Sequence, residues 1–591
     1  MRMFSVLSKG LLLVAASLAW SATLPGNAYL VHNLVADQPG IADFMDPNLV
    51  NPWGIFTSSG SPFWVSDAAT GLSTVYSSNG APSATKPSVP GANSANGEVT
   101  GGISNGTGGF LIQGKAPSFI FVTADGTISG WASSVNATQA QIMVNNSAQG
   151  AVYYGMAVNS TTATATPMIY AANFHTGAIE VYDTNYKPVT LAGTPFVDAA
   201  VPAGYGPFNI WNLGGKLYVM WAKQDASKVA WLNGAGLGAV SVFDLNGNLL
   251  QHLATGGPLN APWGVVVAPA TFGAFAGDVL VGNFGDGAIN AFDPATGNFL
   301  GALSDENGNA IKVPGLWALI LGNGGSGGDA NAIYFSAGGA NQNHGLIGSI
   351  QASPVISASS IGNAADTASG IAANTFISIY GANLSPVSRS WAATDFSGTA
   401  LPKALSGVSV TVNGKPAYVY YVSPKQVDVL TPVDTTTGPV NVVVTSNGLV
   451  SGTASVTMNA FSPAFFLLKD GKSIAALHAN GGLIGATTLY TNLSTPAQPG
   501  ETIALFGTGF GTTNPAIADG QIVTTPANVV TMPTITIGGV TAQVTYGALV
   551  GAGVYQFNVV VPASLPNADT AVSAQVGTAT SAANTIVTVH N

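Results

Sequence analysis

The chain repeats itself six times before residue 351, and this periodicity limits what it can fold into more than any other feature. One series of segments reads Pro52-Trp53-Gly54-Ile55, Thr100-Gly101-Gly102-Ile103, Tyr154-Gly155-Met156-Ala157, Pro207-Phe208-Asn209-Ile210, Pro262-Trp263-Gly264-Val265 and Leu316-Trp317-Ala318-Leu319. Aligned on Gly54, Gly102, Gly155, Asn209, Gly264 and Ala318, the copies lie 48, 53, 54, 55 and 54 residues apart. A second, glycine-led series follows each of them: Gly71 to Tyr76, Gly126 to Trp131, Gly177 to Tyr182, Gly238 to Phe243, Gly287 to Phe292 and Gly345 to Ile350. Apolar runs such as Phe63-Trp64-Val65 and Val279-Leu280-Val281 fall between the two. A unit this short holds about four strands and cannot bury both faces of its sheet alone, so the copies must pack side by side. The spacing predicts a six-bladed β-propeller over 22–350. The run Tyr29 to Val35 belongs to no complete unit and is expected to finish the sixth blade, which removes a free sheet edge.

Composition agrees with an all-β chain. Charged residues make up 7% and the apolar class 47%, which excludes disorder and coiled coil. The 74 glycines and 34 prolines follow no collagen period and punctuate Val-, Ile- and Tyr-rich runs, as turns between short strands do. A net charge of −10 with only 15 basic residues argues against nucleic acid and anionic membrane surfaces as partners. The absence of cysteine excludes disulfides, thiolate metal sites and cysteine nucleophiles. Residues 1–21 fit a secretory signal: Arg2 and Lys9 flank the start, Leu11 to Leu18 form a short apolar core, and Ala19-Trp20-Ser21 offers a cleavage site. The expected location is therefore extracellular, cell-surface or periplasmic, with no transmembrane segment in the mature chain.

Beyond residue 350 a different repeat begins. Phe376 to Leu384 matches Thr502 to Phe510 at an offset of 126, and Val410 to Gly414 matches Ile535 to Gly539 at an offset of 125. Each copy has about seven alternating apolar runs with Gly, Pro or Asn turns between them, the pattern of an Ig-like β-sandwich. The expected order is a linker or leading strand at 351–370, a first sandwich at 371–460 and a second at 461–591.

Two resemblances rest on these motifs. Asn51 to Ile55, Phe63 to Asp67, Gly315 to Gly324, Tyr334 to Gly338 and His344 to Gly348 resemble an exported bacterial family of six-bladed, NHL-like propellers of unknown function, often associated with a PEP-CTERM tail. Members of that family carry an acidic residue beside the sixth-blade histidine, where this chain has Asn341-Gln342-Asn343. Asn363 to Ala365, Tyr421 to Pro424, Pro463 to Phe465 and Gly553 to Pro562 are similar to the Solibacter uncharacterised C-terminal domain, a tandem of IPT/TIG-like folds. The resemblance implies a secreted or surface accessory module and no particular chemistry.

In a propeller, the loops leading into the innermost strands and those between the second and third strands share one face around the channel mouth. That places Asn51, Trp53, Asp67, Asn173, His175, Asp225, Trp263, Asn283, Asp286, Asn343 and His344 near one rim. Trp53, Asp67, Asn173, His175, Trp263, Asn283, Asp286 and His344 are the ligand-binding candidates. Asp67, Asn173, Asn283 and His344 supply oxygen and imidazole donors suited to Ca²⁺ or another divalent ion. The same residue types also satisfy tight turns and strand ends, and recurring tryptophans also pack between blades. Gly102 to Gly106 and Gly322 to Gly327 match short catalytic or nucleotide patterns but lead into no helix, and Gly471 to Ser473 lacks the glycine a P-loop needs five residues earlier, where Phe466 stands.

Together these features predict a noncatalytic platform that binds an extracellular ligand such as a polysaccharide or surface protein, with the sandwiches as spacer or attachment. A metal-dependent, lactonase-like propeller hydrolase and a self-associating matrix component are the alternatives.

Overall fold

A computed structural model describes residues 28–159, 166–366 and 370–590; the signal sequence expected at 1–21 lies outside them. Among the described residues there is no α-helix, only three single-turn 3-10 segments. The chain divides into two compact units, with the division in the sequence between Ala352 and Ser353.

The first unit contains six sheets arranged as consecutive blades, antiparallel apart from a short parallel pair, Val35–Ala36 with Phe44–Met45, at the edge of the sixth. Their innermost strands are Pro52–Phe56, Val99–Ser104, Tyr153–Val158, Tyr205–Leu213, Pro262–Val267 and Leu316–Leu321. Tyr29–Ala36 pairs antiparallel with Leu346–Ala352, so the chain's first described strand is an outer strand of the last blade. Tyr29 anchors that closure: its ring stacks on Phe272 at 4.6 Å and its hydroxyl donates to the Phe272 carbonyl at 3.0 Å.

Blades 1 and 3 each keep only three regular strands. Their outer segments carry Pro82, Pro87, Pro90 and Pro188, which have no N–H to give the ladder. What survives there is piecemeal: Ser83 N donates to Val75 O at 2.8 Å, and Val189 N to Val181 O at 2.8 Å.

The recurring glycine of the first sequence series has a steric cause. A Cβ at Gly155 would lie 2.9 Å from the Asn209 Cα in blade 4, and one at Gly264 would lie 2.6 Å from the Trp317 carbonyl oxygen in blade 6. Innermost strands converge on the axis, so their backbones approach too closely for a side chain. Asn209, where most blades have glycine, uses its side chain to donate to the Trp263 carbonyl at 2.9 Å. Thr100 Oγ1 similarly donates to the Tyr153 carbonyl at 2.6 Å. Side chains of neighbouring blades thus satisfy backbone groups that an edge strand leaves unpaired.

The second unit holds two sandwiches. In the first, Val355–Asn363, Phe376–Ala382, Gln426–Leu430 and Tyr418–Val422 form one sheet, facing a sheet built on Ala454–Asn459, Gly438–Ser446 and Val408–Val412. Val440, Val442 and Val444 point inward while Asn441 and Thr445 point outward, the alternation that makes one face a core. In the second, Thr502–Thr508 pairs with Val554–Val560 as Phe376–Ala382 pairs with Gln426–Leu430, so the duplicated segments occupy equivalent strands. The two sandwiches share a core in which Phe376, Tyr418 and Leu430 meet Phe466, Leu468 and Phe506. Asn363 Nδ2 donates across it to the Ser462 carbonyl at 2.7 Å.

Candidate functional site

Five of the six innermost strands place an aromatic residue at the same position: Trp53, Tyr154, Phe208, Trp263 and Trp317, with Gly101 in blade 2. These rings meet on the axis. Trp53 stacks on Trp317 at 3.5 Å and contacts Tyr154 at 5.1 Å, Trp263 at 6.2 Å and Phe208 at 6.3 Å. Above them Phe174 packs on Tyr154 at 5.2 Å and Phe284 stacks on Trp317 at 4.1 Å.

One further ring completes the set. Blade 4 joins its second and third strands through 14 residues, 224–237, where blades 1 and 3 use four. This long loop carries Trp231 over the channel, within 4.7 to 5.6 Å of Trp53, Tyr154, Phe208, Phe284 and Trp317, rings from five blades. The loop is latched where Tyr154 Oη donates to the Val229 carbonyl at 2.5 Å. Trp231 is only partly buried, whereas Trp53 is 1% and Trp263 2% exposed. The sequence reading missed Trp231; its signal was a tryptophan inside a hairpin connection ten residues longer than those of blades 1 and 3.

The predicted rim residues fall into three groups. Trp53 and Trp263 lie inside the axial cluster rather than on an open rim, with Trp263 Nε1 donating to the Tyr154 carbonyl at 3.1 Å. Asp67, Asn173 and Asn283 end the second strands of blades 1, 3 and 5 and are at most 1% exposed. Asn173 Oδ1 accepts from the Val152 and Thr176 amides at 3.2 and 3.3 Å, and its Nδ2 donates to Glu180 at 2.7 Å. Asn283 Oδ1 accepts from the Asn260 amide at 3.1 Å, and its Nδ2 donates to the Pro258 carbonyl at 2.8 Å and to Asp286 at 3.1 Å. Asp67 Oδ2 accepts from the Thr74 hydroxyl at 2.7 Å and the Thr74 amide at 3.1 Å. Burial pushes the Asp67 carboxyl well above the usual carboxylate range, against the pull of these two hydrogen bonds. Asn173 and Asn283 spend their polar atoms on their own turns and on the segments that lead into the innermost strands, whereas Asp67 uses Oδ2 on the third strand of its blade and keeps Oδ1 buried without a hydrogen-bonding partner among the described residues.

The remaining candidates reach solvent. Asp286 is exposed, and His175 and His344 are partly so. His344 Nδ1 pairs with Asp37 at 2.9 Å, while His175 Nδ1 is covered and has no hydrogen-bonding partner among the described residues. The four candidate ion ligands sit on four different blades and do not share a partner. Among the described residues no three His, Cys, Asp or Glu side chains come together to hold an ion, and no helix is long and apolar enough to cross a membrane.

Two curated proteins of Acanthamoeba polyphaga mimivirus resemble this chain, both described as uncharacterized. One is 32% identical over 337 residues, covering 55% of this chain and 81% of the viral protein. The chain belongs to their family. The second member is 33% identical over 337 residues, covering 55% of this chain and 86% of its own length. The model of the IPT/TIG domain matches residues 356–461, the first sandwich. Among solved structures, virginiamycin B lyase from Staphylococcus aureus aligns over 55% of this chain and 99% of its own, at 10% identity and a TM-score of 0.32. The propeller assignment for this family member rests on its own six blades and their closure.

Proposed function

We propose that this is an exported protein whose propeller binds an extracellular polysaccharide or surface protein at the channel mouth, with the two sandwiches as spacer or attachment module. The observation that carries the reading is Trp231, a partly exposed indole seated on rings from five blades. A flat apolar face held rigidly beside polar groups suits stacking against a sugar ring or an apolar side chain. His175 and Asp286, on mouth loops of blades 3 and 5, supply the polar contacts in this reading. The residues weighed as ion ligands sit on four different blades and do not converge, so the proposal assigns binding and no chemistry to the mouth. The finer kinship with exported NHL-like propellers and the Solibacter-type tandem module is part of the same proposal, supported by the six-unit repeat and the TIG match.

Calorimetric titration of the mature chain with soluble glucans, chitin oligomers and peptidoglycan fragments, together with pull-down from cell envelopes, tests it. Binding should appear with the unaltered chain and fall at least about tenfold in Trp231→Ala, the scale of one lost stacking contact. A chain that binds nothing in these tests, or a variant that binds as tightly as the original, removes this reading.

A further inference from the structure

Away from the channel, blade 4 assembles a group of side chains that the mouth does not use. Asp198 lies ahead of the innermost strand, Ser241 on Gly238–Phe243, and His252 and Thr255 on the outermost strand, Leu249–Thr255. The Asp198 side chain is 1% exposed and accepts from Ser241 Oγ at 2.7 Å, from the Ala200 amide at 2.9 Å and from His252 Nδ1 at 2.7 Å. Burial works against its charge, but these hydrogen bonds outweigh it and hold the carboxyl below the usual range. An ionised Asp198 can only accept, so Nδ1 of His252 carries a proton, and when the ring is neutral Nε2 presents a lone pair.

That lone pair meets a hydroxyl. Thr255 Oγ1 lies 2.9 Å from Nε2 and 3.4 Å from the Ala200 carbonyl, on an exposed residue, while the His252 side chain is 29% exposed. Ser241 cannot play the same part, since it is buried and its oxygen also accepts from Trp221 Nε1 at 3.0 Å.

We propose that Thr255 is the nucleophile and His252 the general base of an acyl-transfer site on the outer edge of blade 4, with carboxylic esters as the substrate class. Thr255 Oγ1 bonds to the ester carbonyl carbon as its proton passes to His252 Nε2. The tetrahedral intermediate expels the alkoxide, which takes that proton back as the C–O bond breaks, leaving acyl-Thr255 and an alcohol. Water, deprotonated by the same nitrogen, then releases the carboxylic acid and restores the hydroxyl. Asp198 is a positioning residue that holds the ring in the required tautomer.

The test uses the mature chain with 4-nitrophenyl acetate, following nitrophenolate release and the intact mass, with peptide mapping of the acetyl group. The expected result is release above buffer with acetyl on Thr255. Thr255→Val should abolish both the adduct and the excess release, Thr255→Ser should restore them, and His252→Gln should lower the rate about 100-fold or more, the scale of general-base catalysis. All three variants should keep the glycan or surface-protein binding of the channel mouth, which separates this site from the platform. Release no faster than buffer, acetylation elsewhere, or a Thr255→Val rate equal to that of the unaltered chain would each overturn the proposal.

Discussion

Trp53 and Trp317, 264 positions apart in the chain, stack at 3.5 Å with 18° between their planes. The first blade thereby locks onto the last at the axis, just as Tyr29 locks the sixth blade's outer edge. Neither ring has room to relax, because further aromatic rings surround the pair. Trp53→Ala should therefore cost about 3 to 5 kcal/mol, the range for emptying a buried aromatic site. Urea unfolding followed by near-ultraviolet circular dichroism reads both the loss of stability and the loss of the stacked-indole signal. Trp231→Ala, at a partly exposed ring, should cost less in the same experiment.

Closure of the ring can be divided into its polar and apolar parts at Tyr29. Tyr29→Phe keeps the stack on Phe272 and leaves that carbonyl without its donor, for about 1 kcal/mol. Tyr29→Ala also removes the ring and should cost about 3 to 5 kcal/mol. Thermal melts of the two variants should be clearly separated; equal melts would mean that this strand contributes little to closure.

The innermost strands give a prediction about crowding. Gly155→Ala and Gly264→Ala each force a methyl against a neighbouring strand, and overpacking of this kind costs about 1 to 3 kcal/mol. Much of the Gly155 conflict is with the Asn209 side chain, whose Oδ1 would lie 1.9 Å from the new Cβ. Asn209→Gly should therefore relieve part of the cost of Gly155→Ala. A double-mutant cycle measures the relief, since the new methyl and the Asn209 side chain are in direct contact.

In the first sandwich Asp428 lies buried between Ser378 Oγ at 2.7 Å and Gln426 Nε2 at 2.8 Å, both donating to its Oδ1. Burial pushes its carboxyl up to about 6 from the ordinary 3.8, with the hydrogen bonds acting in opposition. Between those two pH values the folded chain binds more protons than the unfolded one. Stability from this group is therefore fully present below about 3.8, falls as pH rises to about 6, and is flat above that. The loss amounts to about 3 kcal/mol for a shift of roughly two units. Asp428→Asn should flatten this limb and melt higher at pH 7, as urea titrations at pH 4 and pH 7 would record.

The sequence by itself determined the architecture. Six copies spaced by about one blade, a leftover strand ahead of the first copy and two nearly equal offsets beyond residue 350 are local patterns of turn glycines and alternating apolar residues, and strand formation follows such patterns closely. Only the tertiary structure decided what the chemistry-bearing residues do. Asp67, Asn173 and Asn283 have the donor atoms of a ligand site, but whether a neighbouring amide already uses those atoms depends on loop paths that residue type does not encode. Trp231 reaches the axis because one hairpin connection is long and folds inward. Asp198 meets His252 across 54 positions because the segment leading into blade 4 runs beside that blade's outermost strand. Repetition comes from short-range patterns, whereas the meeting of particular side chains comes from packing around an axis that no single repeat contains.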